Sequence, residues 1–391
     1  MCYFCLLFLK MEKKLNTKRF KVEMVYEVYP SKYPPFKLFL DFIKQNSNLD
    51  IGISVFKNTA ETPPDVYCMP NFYLRILLQR FFFWHSILIK LKYPEQFWFR
   101  KKNRIIHVQH SFLFHHVLNL LKLNIHSKPK IIISLVGGET YVKPWTDKRW
   151  TDFYSKYGNL VDGYTVQSLN QKEYITKWGI DKNKVFVIPV SFGIVSNANP
   201  KYPNSFKMKI ISAFRMTWEK NIEGNIRFAK VLSDHQIPFE YHVYGHGVDL
   251  GQLFYLIDKF ELQNKVIYKG YIENSELKKI LPEYDFYLQL SISEALSASV
   301  IEAQSLGVPA IVSDSDGIKE AIIPNKTGIC APYYDLDFFV KETILLWNDK
   351  QRFYQFSTDA IEFANQNYSL QKELERTIAM YNSILATCVD S

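Results

Sequence analysis

Short apolar runs separated by amphipathic stretches recur along most of the chain. Residues 20–28, 49–55, 104–108, 130–136, 163–167 and 184–189 have strand length and strand composition, with helical spacing of apolar residues between most of them. A stretch holding Gly193, Asn197, Asn199, Pro200, Pro203 and Asn204 interrupts the pattern, which then resumes at 208–214, 239–244, 265–268, 285–290 and 310–312. Runs that are apolar throughout belong to strands buried on both faces, so the pattern predicts parallel sheets covered by helices on each side. The expected fold class is α/β, with two tandem doubly wound, Rossmann-like domains facing a cleft. Ligands of such sheets bind beyond the carboxyl ends of the strands. The expected divisions are 1–200, 201–366 and 367–391, the last carrying a terminal helical stretch at 370–385.

Within this frame, residues 287–317 are densest in chemistry. Tyr287, Leu288 and Leu290 mark a short strand, and Val300, Ile301, Ala303 and Leu306 recur close to helical spacing. Gly307 falls where a helix ends and Pro309 forbids its continuation, so 310–312 is the next strand. Glu294 then lies in the turn, and Glu302 lies inside the helix. A helix opening near Ser297 points unpaired backbone N–H groups at that turn, which stabilises a phosphate by dipole and hydrogen bonds together. Two glutamates eight apart are by themselves most often solvated helix residues. The flanking Gly307-Val308-Pro309 element, the strand and the glycine turn at Gly317 favour a pocket instead.

These residues resemble the glycosyl transferases group 1 family, retaining glycosyltransferases of the GT-B fold. The resemblance rests on Glu294, Glu302-Ala303, Gly307-Val308-Pro309, Gly317-Ile318-Lys319-Glu320 and Thr327-Gly328. It implies that Glu294 lies against the donor sugar as the catalytic-site residue. It also implies that Glu302 binds the ribose hydroxyls and that the backbone at Leu296, Ser297 and Ala298 holds the diphosphate. Arg215 and Lys220, just after the run 208–214, are similar to the family's paired cations on the diphosphate, and Gly245 in Gly245-His246-Gly247 to its turn near the base. The family uses no metal, so fixed cations and N–H groups must stabilise the leaving group, at about 3–4 kcal/mol for one well placed donor. No metal and no other cofactor is therefore expected, the nucleotide diphosphate sugar being a substrate.

The chain departs from the family pattern in several places. Ala295-Leu296-Ser297 replaces Gly-Phe-Gly, which limits how closely the backbone approaches the phosphates. Asn221 follows Lys220 where a glycine is usual, and the first loop, Tyr29 through Pro35, lacks the usual Gly-Gly. In the first domain Gly137, Gly138 and Glu139 stand where the family shows His-Gly-x-Asp, with Val136 in place of the histidine. Those three residues and His107 are the acceptor-side candidates. For His107 and His110 the other reading is a satisfied structural histidine.

Charge adds an asymmetry. The chain of 391 residues has a net charge of +9, yet Lys and Arg outnumber Asp and Glu 29 to 14 before Pro200, whereas after it they are 19 against 25. The first half is thus suited to an anionic partner. Residues 72–104 hold eight basic side chains against Glu95, interleaved with aromatic residues. Such a segment suits an anionic bilayer surface, or equally a buried helix with solvated charges. No RNA-binding motif accompanies it, and nucleic acid is not expected. Cys2, Cys5, Cys68, Cys330 and Cys388 are too scattered for a disulfide framework, which points to a reducing, cytoplasmic setting. The apolar run 1–9 is too short to span a bilayer and precedes its charges, unlike a secretory signal. It reads as an interfacial anchor, a translation artefact or a first strand. No dinucleotide fingerprint, P-loop, H-E-x-x-H or G-x-S-x-G motif occurs.

The function expected is transfer of a sugar from a nucleotide diphosphate sugar to a glycan or lipid-linked acceptor, in surface polysaccharide biosynthesis, by a cytoplasmic enzyme peripheral to the membrane. The alternatives are a nucleotide-sugar-binding subunit that has lost transfer, and a nucleotide-sugar epimerase of the same architecture.

Overall fold

The computed structural model describes residues 20–68, 104–110, 114, 117–122, 128–191, 193–194 and 198–386. The apolar start 1–9, the basic aromatic stretch 72–103, Cys2, Cys5 and Cys388 lie outside the described residues. The chain divides into two compact units. The first comprises described residues up to Val166, Ile175–Val190 and the chain from Glu373; the second comprises Gln167–Tyr174 and Ser191–Lys372. The chain therefore changes unit at 190 and 372, beside expected boundaries at 200 and 366, and makes an excursion at 167–174 that no sequence signal marks.

The first unit is built on β1 (Lys21–Val28), β2 (Asp50–Lys57), β3 (Tyr67–Cys68), β4 (Ile105–Val108), β5 (Lys130–Ser134), β6 (Gly163–Val166) and β7 (Val185–Val187). They form one sheet of order β3-β2-β1-β4-β5-β6-β7, with every pairing parallel. β4 and β6 are buried along their whole length, the polar His107 and Thr165 included, as strands covered on both faces are. β3 has two residues, too few to carry a period, and the sequence pattern does not show it. Ile106, Ile131, Ile133 and Tyr164 from the strands pack with Trp150, Phe153 and Tyr154 of a helix at Lys148–Tyr157. The terminal helix Leu370–Ala386 is fastened to this unit through Tyr381, whose Oη lies 2.7 Å from His107 Nδ1 on β4.

The second unit holds β8 (Met208–Ala213), β9 (Phe239–Tyr244), β10 (Val266–Gly270), β11 (Phe286–Gln289), β12 (Ala310–Ser313) and β13 (Gly328–Ala331) in the order β10-β9-β8-β11-β12-β13. Successive side chains of a strand point to opposite faces. Ile210, Phe286 and Leu288 accordingly join one apolar cluster, and Ile211 and Tyr287 join the other. Three helices matter below: α1 (Ile222–Asp234) after β8, α2 (Asn274–Ile280) after β10, and α3 (Ala298–Ser305) between β11 and β12. Chain order in this sheet reverses between β8 and β11, the switch point at which open α/β sheets receive ligands. Among the described residues no helix is long and apolar enough to cross a membrane.

Candidate functional site

β8 and β11 pair in parallel, with Ile210 opposite Phe286 and Ile211 opposite Tyr287, so their exit loops start side by side. Arg215 and Lys220 lie on the first loop and Glu294 on the second. Asparagines lace the loops together. Asn221 adopts φ 51, a left-handed conformation that asparagine tolerates better than most residues, and so fills the place of the family's glycine. Its Oδ1 caps α1 by accepting from Gly224 N at 3.1 Å, and its Nδ2 donates to Leu290 O at 2.9 Å. Asn225 is buried; its Nδ2 donates to Lys220 O at 2.9 Å, and its Oδ1 accepts from Leu290 N at 3.1 Å. Ile292 N donates to Glu219 O at 2.8 Å.

The outcome is an ion pair in which Lys220 Nζ donates to Glu294 Oε2, the two side chains 13% and 18% exposed. Burial pushes the Lys220 ammonium down to about 8; Glu219 opposes that shift and Arg215 adds to it. Arg215 itself stands 71% exposed and pairs with Glu219 at 3.1 Å. It flanks the pair without touching Glu294.

Glu302 occupies a separate environment. It is buried on α3, and its Oε1 accepts from Asn274 Nδ2 at 2.8 Å and lies 3.4 Å from Lys278 Nζ, both on α2. Burial raises its carboxyl above the ordinary glutamate range, with Lys278 and Asn274 pulling the other way. Among the described residues Oε2 takes no hydrogen bond, which leaves it able to accept a hydroxyl. The structure thus joins Lys220 to Glu294 but holds Glu302 by its own partners.

The loop between Glu294 and α3 is held from β11. Gln289, fully buried, donates through Nε2 to Ser291 Oγ at 2.9 Å and approaches Glu294 Oε2 at 3.4 Å. Its Oε1 accepts from Ser297 Oγ at 2.8 Å and from Ser299 Oγ at 3.3 Å. Ser297 is the N-cap residue of α3, yet its side chain makes no cap hydrogen bond. Leu296, where the family has phenylalanine, turns into the apolar cluster with Leu277, Tyr287 and Val300. Gly317 donates its N–H to Glu294 O at 2.9 Å, and a Cβ there would collide with Ala295 O.

At Gly245 packing alone already requires glycine. At φ 123 it presses so closely on Phe214 O that a Cβ would collide, and its own N–H is spent on Gly270 O at 2.9 Å. The turn thereby backs the loop that bears Arg215.

In the first unit, Gly137 takes φ 143 and opens a one-turn helix at Gly138–Tyr141, while a Cβ on Gly138 would meet open space. Glu139 turns back to accept from Val136 N, and its carbonyl accepts from Tyr154 Oη at 3.1 Å. Val136, in the position of the family's histidine, is 43% exposed. His107 leaves the acceptor-side set. It is buried, with Nδ1 2.7 Å from Tyr381 Oη and Nε2 2.9 Å from Ser134 Oγ, and burial holds its imidazole down at about 3, hence neutral. His110 packs edge-on against Tyr33 and Phe36.

Sequence reasoning passed over Gln289, Asn225, Asn274 and Lys278. Only Gln289 left a signal, as a polar residue inside an otherwise apolar strand. Among the described residues no three His, Cys, Asp or Glu side chains gather as a metal site.

Two Rossmann-like α/β units, the second with its charged loops at the switch point, define the GT-B class of glycosyltransferase fold. The crystal structure of TarM, a Staphylococcus aureus protein, superposes with a TM-score of 0.71 over 95% of this chain and all of that one, at 15% identity. The Anabaena protein HepE, crystallised with UDP, gives 0.67 over 93% of this chain and 100% of its own, at 13% identity. Residues 198–365 match the model of the family described as glycosyl transferases group 1. The amylovoran biosynthesis glycosyltransferase AmsK of Erwinia amylovora is 30% identical over 134 residues, 33% of each chain. The chain spans 33% to 39% of the length of the first curated relatives it matches.

Proposed function

We propose that the protein transfers a sugar, with retention of configuration, from a nucleotide diphosphate donor to a glycan or lipid-linked acceptor in surface polysaccharide biosynthesis. The observation that carries this reading is the buried Lys220–Glu294 pair at the switch point of the unit that matches the family. Lys220 and Arg215 meet the diphosphate together with the first amides of α3. These groups stabilise the negative charge that grows on the β-phosphate as the sugar leaves, and no metal takes part. Glu294 faces the sugar hydroxyls, and Glu302 receives ribose through Oε2. Gly137 and Gly138 give the acceptor access to backbone in the first unit. The amylovoran relative supports the polysaccharide assignment, and HepE, solved with UDP and with UDP-glucose, supports a nucleotide-sugar donor. The basic aromatic segment 72–104 favours work at the cytoplasmic face of an anionic membrane.

Thermal stability against a panel of nucleoside diphosphates and their sugars tests donor binding, since a ligand at 100 times its Kd adds about 2.7 kcal/mol. Transfer to a glycan acceptor in the presence of a chelator then tests the chemistry. No stabilisation by any nucleotide overturns the proposal. A second reading, a binding subunit without transfer, is favoured by Val136 and by the loop 295–297; nucleotide binding without turnover of the donor would select it.

A further inference from the structure

We infer that Gln289 is a positioning residue of the donor site, one that keeps the start of α3 uncapped and holds Glu294 in register with it. The inference rests on the proposed donor site and adds to it a residue outside the charged set.

A serine at a helix N-cap ordinarily turns its hydroxyl to a backbone N–H of the first turn and so satisfies one of the unpaired donors there. Ser297 does not, because its hydroxyl is committed to Gln289 Oε1 at 2.8 Å. Gln289 can hold it there because the amide is fully buried on β11 and every polar atom is matched within the same loop: Ser297 and Ser299 on Oε1, Ser291 and Glu294 on Nε2. A buried amide must find such partners or lose the free energy of leaving water. The hydroxyl nearest the helix start is therefore drawn towards the sheet, and the first-turn N–H groups keep their capacity for an anion. The Nε2 that faces Glu294 Oε2 links that carboxylate to the same amide, so the loop after β11 and the helix start move as one piece.

This arrangement also accounts for the departure from Gly-Phe-Gly. Where glycines would admit the phosphates through an unobstructed backbone, here a side chain on the preceding strand draws aside the hydroxyl that would otherwise cap the helix.

The test uses the full-length protein with UDP as the probe, chosen from the panel by its effect on the wild type, or GDP if that is the diphosphate the wild type binds. In Gln289→Met the Ser297 hydroxyl is released to cap its own helix, and affinity is expected to fall about tenfold. In Gln289→Met/Ser297→Ala no hydroxyl is left to cap, and at least a threefold recovery over the single variant is expected. That recovery separates positioning from a merely structural role, because a second substitution in a disrupted loop would lower affinity further. Gln289→Asn, one methylene short of Ser297, replaces Gln289→Met if the latter loses its cooperative melt. Wild-type affinity in the single variant, or a double variant no better than the single, overturns the inference. A wild-type protein that binds no nucleoside diphosphate overturns the donor-site reading and this inference with it.

Discussion

Replacing Lys220 by methionine isolates the pair on which the proposed donor site turns. The side chains of Lys220 and Glu294 are 13% and 18% exposed, and the substitution keeps the aliphatic length while removing the ammonium. Glu294 is then left with Gln289 Nε2 at 3.4 Å as its remaining side-chain partner. Breaking a fully buried pair costs about 3–5 kcal/mol, chiefly through the stranded charge. The residual exposure of both groups brings the expectation here to about 2–3 kcal/mol. Glu294→Gln in the same background removes the stranded charge, so the double variant should regain at least about 1 kcal/mol over Lys220→Met. Activity should not follow stability, because a fixed cation facing the diphosphate contributes about 10²–10³ in kcat and the double variant still lacks it. Urea denaturation of the wild type, both single variants and the double variant measures the first effect, and single-turnover transfer measures the second. Additive losses in stability, or wild-type transfer by Lys220→Met, would refute the reasoning.

Three further outcomes are expected. Burial holds Lys220 at about 8, so the ammonium proposed to meet the diphosphate is lost above pH 8: affinity by calorimetry should fall there, and a profile unchanged in Lys220→Arg would contradict this. Burial raises the Glu302 carboxyl, so Glu302→Gln should leave the melting temperature unchanged or higher while weakening nucleoside diphosphate binding about tenfold, or ~1.4 kcal/mol; a lower melting temperature with unchanged affinity would contradict it. His107 sits at about 3, so as pH falls below 6.5 the unfolded chain takes up a proton that the folded state refuses, and stability drops. His107→Gln should show a shallower loss from pH 6 to 4 in denaturation curves, and a profile matching the wild type counts against the assignment.

The departures from the family pattern have local physical causes. Asn221 serves in a glycine's place because its amide both tolerates φ 51 and ties α1 to the end of β11. Leu296 fills apolar space beside Leu277 and Val300, so the loop after Glu294 is anchored by burial rather than left open. At Gly317 no substitute is possible without moving the loop, because a side chain there would strike Ala295 O.

The one-dimensional pattern determined the alternation of strands and helices, the burial of strands on both faces, and the turn and helix on which Glu294 and Glu302 sit, because each depends on neighbours a few residues away. Lys220 and Arg215 came into consideration through their resemblance to the family's paired cations after a strand. Which of these groups would meet was decided by the pairing of β8 with β11, a contact between segments more than 70 residues apart. The same holds for His107, whose place beside a strand end fitted a substrate role until Tyr381, 274 residues later in the chain, took one ring nitrogen. Gln289 reads in sequence as a flaw in an apolar strand. Only packing, which denies its amide water and surrounds it with three serine hydroxyls and a carboxylate, turns it into the fastening of the loop. Side-chain partners across a sheet are fixed by the low dielectric and crowding of the assembled interior, and neither exists until the chain has folded.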